Sequence, residues 1–243
     1  MVCFHSVADN RLIKTIKSVK PSIVGIGTHT PTARPQSVLQ GSGFVVADGL
    51  HVVTNHHVVP EELNHELLQK IAVFIGSGRT AQVRTAELIA SSKEHDLAIL
   101  KIEGKPLPAM SLATGALVEE GQSIAFTGFP IGAVLGLYPA THRGIVAAVT
   151  PRITPIESGV KLTPKMLRSL RDPFMVYQLD ATAYPGNSGS ALYNSETGEV
   201  VGVINSVFIQ GDKEAAITKP SGITYAIPVQ YLWKLLKKHN INV

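Results

Sequence analysis

Ala183-Tyr184-Pro185-Gly186-Asn187-Ser188-Gly189-Ser190-Ala191-Leu192 decides how this chain is read, because a turn of glycine and small polar residues runs straight into an apolar segment. A hydroxyl displayed on so tight a turn is a candidate nucleophile. Serine alone is weak in that role, so it needs a base within hydrogen-bond reach and a third group to orient the base. Two upstream stretches offer them: a histidine in Thr54-Asn55-His56-His57-Val58-Val59, and an aspartate in Glu94-His95-Asp96-Leu97-Ala98-Ile99-Leu100.

The pattern around these stretches is one of short β-branched runs. They cover residues 23–28, 43–46, 51–54, 71–74, 81–89, 97–102, 123–127, 144–149, 175–179, 199–204 and 223–227, with punctuators such as Ala47-Asp48-Gly49 and Gly76-Ser77-Gly78 between several of them. That texture predicts antiparallel strands in barrels or sandwiches, with no alternating helices. Helical period is confined to three places. Residues 9–20 form a short helix capped by Asp9, with Leu12, Ile13, Ile16 and Val19 on one face. Residues 60–70 suit a surface helix. Residues 228–239 suit a firmer one, with Pro228 at its start, Val229, Leu232, Leu235 and Leu236 inward, and lysines in its last turns. Residues 150–173, with four prolines and no clean period, read as a long loop.

With 243 residues, 44% of them hydrophobic, the chain can bury a sizeable core as one unit or as two small barrels. Its only cysteine is Cys3, so no intramolecular disulfide forms and nothing argues for an oxidising compartment. No apolar leader segment is visible near Met1, and the longest apolar runs are too short to span a bilayer. The compartment is therefore unassigned, cytoplasmic by default, with a periplasmic or secreted location compatible with removal of a leader. The net charge of +4 is spread along the chain without interleaved aromatics, so no nucleic-acid partner is expected. His56 and His57, read as neighbours on one strand, face opposite ways and lack further ligands, so neither a metal nor another cofactor is expected. His95 reads as an ordinary surface histidine, Ser190 as packing for its turn, and Ser42, between two glycines, as part of a hairpin turn.

Order along the chain narrows the fold. An α/β-hydrolase would place its serine first, on a G-x-S-x-G elbow, and a subtilisin-like order would place its aspartate first. Histidine, aspartate, serine is the order of the chymotrypsin-type double barrel. Gly41-Ser42-Gly43-Phe44, Thr54-Asn55-x-His57-Val58-Val59, Asp96-Leu97-Ala98-Ile99-Leu100-Lys101-Ile102 and Gly186-Asn187-Ser188-Gly189-Ser190-Ala191-Leu192 together resemble the HtrA/Deg-type trypsin-like serine proteases, from about residue 10 to residue 240.

The resemblance implies an all-β fold of two perpendicular six-stranded antiparallel barrels with short N-terminal and C-terminal helices. Its expected divisions are an arm at 1–20, barrels at 21–115 and 116–228, and a helix at 229–243. Because the sequence ends after that helix, the expected unit is a protease domain without PDZ domains. The resemblance further implies serine endopeptidase activity on unfolded or flexible protein segments. His57 would act as base, Asp96 as orienter and Ser188 as nucleophile, with an oxyanion hole formed by Gly186, Asn187 and Ser188, each donor contributing on the order of 3 kcal/mol. Thr182, Ala183, Tyr184, Asn205, Ser206 and Val207 would line the substrate pocket. No carboxylate is evident there, and Asp180 reads as structural, so small or medium apolar side chains are the expected preference. Tyr184-Pro185 departs from the family pattern, and the Pro185-Gly186 peptide is where related proteases switch the hole by turning a carbonyl inward. Protein or peptide substrates are the expected partners, and a homo-oligomer is compatible with the sequence. A catalytically silent protease-fold binding protein and an esterase-type acyl hydrolase with the same triad are the alternative readings.

Overall fold

β-branched and aromatic residues alternate along the strands so finely that both faces of several strands are buried, which requires packing on two sides. The structure, a computed structural model, describes residues 7–130, 137–152, 173–205 and 223–243. Its strands are β1 (Ile23–His29), β2 (Ser37–Val46), β3 (His51–Thr54), β4 (Lys70–Ile75), β5 (Gln82–Ser92), β6 (Leu97–Ile102), β7 (Ser123–Gly128), β8 (Ala140–Pro151), β9 (Met175–Asp180), β10 (Ala191–Asn194), β11 (Val200–Asn205) and β12 (Ile223–Pro228). They form two closed antiparallel barrels, in the orders β1-β2-β3-β6-β5-β4 and β7-β8-β9-β12-β11-β10. The second order repeats the first with every strand advanced by six, a repeat of architecture with no visible repeat of sequence.

β6 illustrates the two-sided burial. Ala98, Leu100 and Ile102 point into the first barrel, among Val24, Ile26, Val45, Val52 and Val73. Leu97 and Ile99, on the opposite face, enter a shared core with Phe44, Val53, Tyr193, Val203 and the two helices. The second barrel is filled separately by Ile124, Phe126, Val146, Tyr177, Leu179, Leu192 and Ile204. Closure leaves neither barrel with an unpaired edge strand.

Helix α1 (Val7–Val19) contains Asp9 within its span, so Asp9 does not cap it from outside. Its inward stripe is Leu12, Thr15, Ile16 and Val19, the i, i+3, i+4, i+7 set, whereas Ile13 is 49% exposed. Thr15 is tolerated inward because its hydroxyl bonds the carbonyls of Arg11 (3.1 Å) and Glu196 (3.0 Å). Helix α2 (Val229–Lys238) turns Val229, Tyr231, Leu232, Leu235 and Leu236 inward, and Trp233 Nε1 donates to the Ala113 carbonyl at 2.7 Å.

Residues 60–69 are turns, not the expected surface helix. Asn64 accounts for the difference: its Oδ1 accepts the Leu67 N–H at 3.1 Å and its carbonyl accepts the Gln69 N–H at 3.0 Å. An asparagine that satisfies nearby backbone donors competes with helical hydrogen bonding, and Leu68 then closes the turn at φ +54°. The first half of β2 and all of β10 are also absent from the strand pattern: serine and glycine interrupt the first, and the second, Ala191-Leu192-Tyr193-Asn194, is four residues long with no β-branched residue. The long loop expected at 150–173 lies mostly outside the described residues. At its stem, Arg152 N–H donates to the Phe174 carbonyl at 2.7 Å.

His95 is packed, not a surface residue. Its ring stacks on Tyr231 of α2 at 4.7 Å between centroids and meets the edge of Phe174 at 5.2 Å, with Ser92 Oγ 3.0 Å from Nδ1. Burial holds its pKa below the usual 6.5, an effect Glu94 opposes and Lys234 reinforces.

Leu232→Ala should cost about 2–5 kcal/mol of unfolding free energy, and Ile13→Ala less than about 0.5, as read by urea denaturation. Equal effects would contradict this placement of the helices. Because the folded-state pKa of His95 is depressed, its contribution is complete above the unfolded value of 6.5 and is lost as pH falls below it. The Tm should therefore fall between about pH 7.5 and 5.5, and fall less in His95→Phe. An identical fall in the two proteins would contradict the burial of this ring.

Candidate active site

The antiparallel pairing of β3 with β6 brings Thr54 opposite Ala98, so the residues just after β3 and just before β6 emerge side by side. Residues 56–58 make one 3₁₀ turn there. His56 and His57 are thus not successive strand residues on opposite faces, and His56 is half-buried, with its Nδ1 enclosed. Asp96 is in the left-handed region at φ +50°, which swings its carboxylate back over the turn.

That carboxylate gathers three donors. Oδ1 accepts the backbone N–H of His57 at 2.9 Å, and Oδ2 accepts His57 Nδ1 at 2.7 Å and Asn205 Nδ2 at 2.7 Å. A carboxylate only accepts, so the bond at Nδ1 requires the proton there and leaves Nε2 of a neutral ring with its lone pair available. Asn55, from the same motif as His57, secures the aspartate from behind by donating to the Asp96 carbonyl at 2.9 Å. Asn205 comes from the end of β11 in the second barrel. It was expected in the substrate pocket, and its side chain, 2% exposed, instead reaches Asp96 across the two barrels.

Ser188 stands on the turn before β10 and is 5% exposed. Its carbonyl accepts the Ser42 N–H at 2.8 Å, and the next N–H, of Gly189, donates to the Ile204 carbonyl at 3.0 Å. Upstream, the Asn187 N–H donates to the Tyr184 carbonyl at 3.0 Å, closing a four-residue turn with Pro185 second and Gly186 third. Gly186 is at φ +97°. Proline at the second position and a positive φ at the third are the marks of a type II turn, and only glycine adopts that φ without strain. A type I turn at the same place would turn the Pro185-Gly186 peptide over and require negative φ at Gly186. The Asn187 side chain is fully buried, with neither Oδ1 nor Nδ2 hydrogen bonded among the described residues, and its N–H is already engaged by the Tyr184 carbonyl.

Ser42 overturns its hairpin reading. It lies within β2, is fully buried, donates from Oγ to the Gly186 carbonyl at 2.7 Å and accepts the Phe129 N–H at 2.8 Å. The flanking Gly41 serves close approach and not a bend: a Cβ there would lie 2.8 Å from Val58 Cγ1 and 3.0 Å from the Ser188 carbonyl. No local pattern announced this, since the partners of Ser42 are far away in sequence.

Of the expected pocket residues, Thr182 and Tyr184 are half-buried and Ala183 is buried, its N–H donating to Thr224 Oγ1 at 2.9 Å. Tyr184 neighbours His142, with ring centroids 5.9 Å apart, and His142 in turn stacks on Phe126 at 4.9 Å. Burial lowers the His142 pKa. Ser206 and Val207 lie outside the described residues. Asp180, at the end of β9, is exposed. Among the described residues no helix is long and apolar enough to cross a membrane.

Residues 41–203 match the family model for the trypsin-like peptidase domain. The chain is 30% identical over 189 residues to a probable periplasmic serine endoprotease, DegP-like, of Halomonas elongata, covering 78% of this chain and 32% of that protein. A relative of the same description from Hahella chejuensis is 32% identical over 191 residues, covering 78% and 33%. The chain thus spans about a third of the length of these curated relatives. Both names say periplasmic, which lends no support to a cytoplasmic default. Among solved structures, the serine endoprotease from Yersinia pestis superposes with a TM-score of 0.65 at 25% identity, over 94% of this chain and 66% of that one. Deg5 superposes at 0.66 and 24% identity, over 95% and 94%, a likeness of fold. Four motifs, two barrels of one topology and the matched model agree: this chain belongs to the trypsin-like peptidase family, as a domain of the HtrA/DegP type.

Proposed function

We propose that the protein is a serine endopeptidase that hydrolyses peptide bonds in unfolded or flexible protein segments. The observation that carries this reading is the doubly bonded His57–Asp96 pair, with Nδ1 engaged at 2.7 Å and the opposite ring nitrogen left as a base, beside the turn that bears Ser188. His57 Nε2 takes the Ser188 Oγ proton as that oxygen attacks the substrate carbonyl. The resulting oxyanion is received by the N–H groups of Gly186 and Ser188, and the imidazolium is stabilised by Asp96. The proton passes to the leaving amine, and water then enters by the same route to release the acyl group from Ser188.

Flexible segments are the natural substrates because a peptide must lie extended across the turn to present its carbonyl. The pocket, formed by Thr182, Ala183 and Tyr184, has no carboxylate among them, and the carboxylate of Asp180 faces solvent, which supports a preference for small or medium apolar side chains. The relatives' names favour a periplasmic setting.

A fluorophosphonate probe should label the wild type and not Ser188→Ala, and casein should be digested by the first only. Asp96→Asn should retain its fold and lose about 10⁴-fold in kcat, because the amide favours the wrong imidazole tautomer. A wild type inert to both probe and casein, or a fully active Asp96→Asn, would overturn the assignment. In a peptide-library digest, cleavage should follow Val, Ala, Thr or similar residues, whereas strict cleavage after Lys or Arg would contradict the pocket reading.

A further inference from the structure

Ser42 is a buried polar side chain that the proposed chemistry does not use, yet every hydrogen-bonding group it has points at the machinery or its supports. Its backbone N–H holds the Ser188 carbonyl at 2.8 Å, and its hydroxyl holds the Gly186 carbonyl at 2.7 Å, so one residue of β2 brackets Asn187 from both sides. The same hydroxyl accepts the Phe129 N–H at 2.8 Å, just beyond the end of β7, and the Ser42 carbonyl accepts Thr54 Oγ1 at 2.7 Å, two residues before His56. A hydroxyl has one proton to donate and lone pairs to accept with, and here both capacities are occupied by backbone groups of the opposite barrel.

We infer that Ser42 is a positioning residue for the oxyanion hole, acting through the Gly186 carbonyl; this rests on the endopeptidase reading above. The orientation of the Gly186 N–H depends on rotation about the two bonds flanking its Cα. Ser42 Oγ on the Gly186 carbonyl and the Asn187 N–H on the Tyr184 carbonyl anchor the turn, so the freedom left is the coupled rotation of its middle peptide, Pro185-Gly186, which φ +97° at Gly186 places in the type II sense. The Ser188 N–H is held more directly, through the carbonyl of its own peptide, Asn187, which accepts the Ser190 N–H at 3.0 Å, and through the Ser188 carbonyl, which accepts the Ser42 N–H at 2.8 Å. Both donors are thus fixed before substrate arrives, which is the condition under which such donors stabilise a transition state without reorganising.

Removing the hydroxyl frees the Gly186 carbonyl and strands a buried Phe129 N–H. Both groups then seek partners, and the turn that carries the Gly186 N–H loses its anchor to β2. Ground-state binding of substrate side chains does not pass through these groups, so kcat should suffer and KM should not.

The test uses the full chain as wild type, Ser42→Ala and Thr127→Val. The last removes an equally buried hydroxyl, bonded to Tyr193 Oη at 2.8 Å and Thr141 Oγ1 at 2.9 Å and not to the turn at Gly186, and so reports what loss of a buried hydrogen bond does by itself. Three readouts are compared with Tm: kcat and KM on the best library peptide, inhibition by the aldehyde of that peptide, whose hemiacetal oxygen occupies the hole, and inhibition by the matching alcohol, which forms no such adduct. For Ser42→Ala we expect kcat lower by about 10- to 100-fold, since outright loss of one hole donor costs about 10²–10³-fold, with KM within about twofold. Aldehyde inhibition should weaken by a similar factor and alcohol inhibition should not. Ser42→Cys, which keeps the side-chain shape with a weaker donor and acceptor, should fall between and covers the case in which alanine impairs folding. Thr127→Val should lower Tm with kcat nearly unchanged. The inference is overturned if Ser42→Ala and Ser42→Cys match Thr127→Val in kcat at equal Tm, or if aldehyde and alcohol weaken alike. A wild type that takes up no fluorophosphonate removes the endopeptidase reading and the inference together.

Discussion

The carboxylate of Asp96 is the constraint on which the rest depends. Three donors meet it from two barrels: the backbone and ring of His57 from the first, and the amide of Asn205 from the second. Bonds to a charged acceptor are the strong ones, and leaving such a group unpaired in a partly buried site is costly. The carboxylate therefore does two things at once. It holds the His57 ring in one orientation and tautomer, and it ties the end of β11 to the β5–β6 turn, so that the barrels meet in a defined way where chemistry would occur.

Ser42 is the counterpart on the other side of the cleft. Asp96 draws a side chain from the second barrel toward the first, whereas Ser42 reaches from the first to the backbone of the second, at Gly186, Ser188 and Phe129. The shared apolar core of Phe44, Leu97, Ile99, Tyr193 and Val203 lies beneath both, and α2 covers part of it. Burial supplies the bulk of the driving force for docking the barrels, but it is non-directional. The directional hydrogen bonds at Asp96 and Ser42 help set the register of one barrel against the other.

This division explains what could be read from the residues in order. His57 and Asp96 stand out as candidates because each lies beside a strand whose β-branched or aliphatic run marks it, Ser188 because its glycine-rich turn displays a hydroxyl, and all three because their order selects one fold. Most of the strands are legible by composition; the start of β2 is hidden by glycine and serine, and β10 by its four-residue length and lack of β-branched residues. Ser42 was misread because its partners are 144 and 87 residues away, and a serine between glycines looks like a turn from either side. His95 reads as a surface group in sequence because the ring that covers it, Tyr231, belongs to the last helix. Residues 60–69 carried a helical period, but Asn64 supplies local hydrogen bonds that a periodicity argument does not weigh. Long-range polar pairing leaves no periodic trace, and the misread site residues fail for that reason.

The central claim is that Asp96 fixes His57 as the Nδ1–H tautomer, poised as a base at Nε2. Nitrogen-15 NMR of the protein labelled at histidine tests it without substrate or inhibitor. With the His57 ring neutral, an Nδ1-bound proton should lie far downfield because of its bond to the carboxylate, Nε2 should resonate as an unprotonated nitrogen, and both features should be lost in Asp96→Asn. A His57 ring carrying its proton on Nε2 in the wild type, or rapidly averaging the two tautomers, would contradict it.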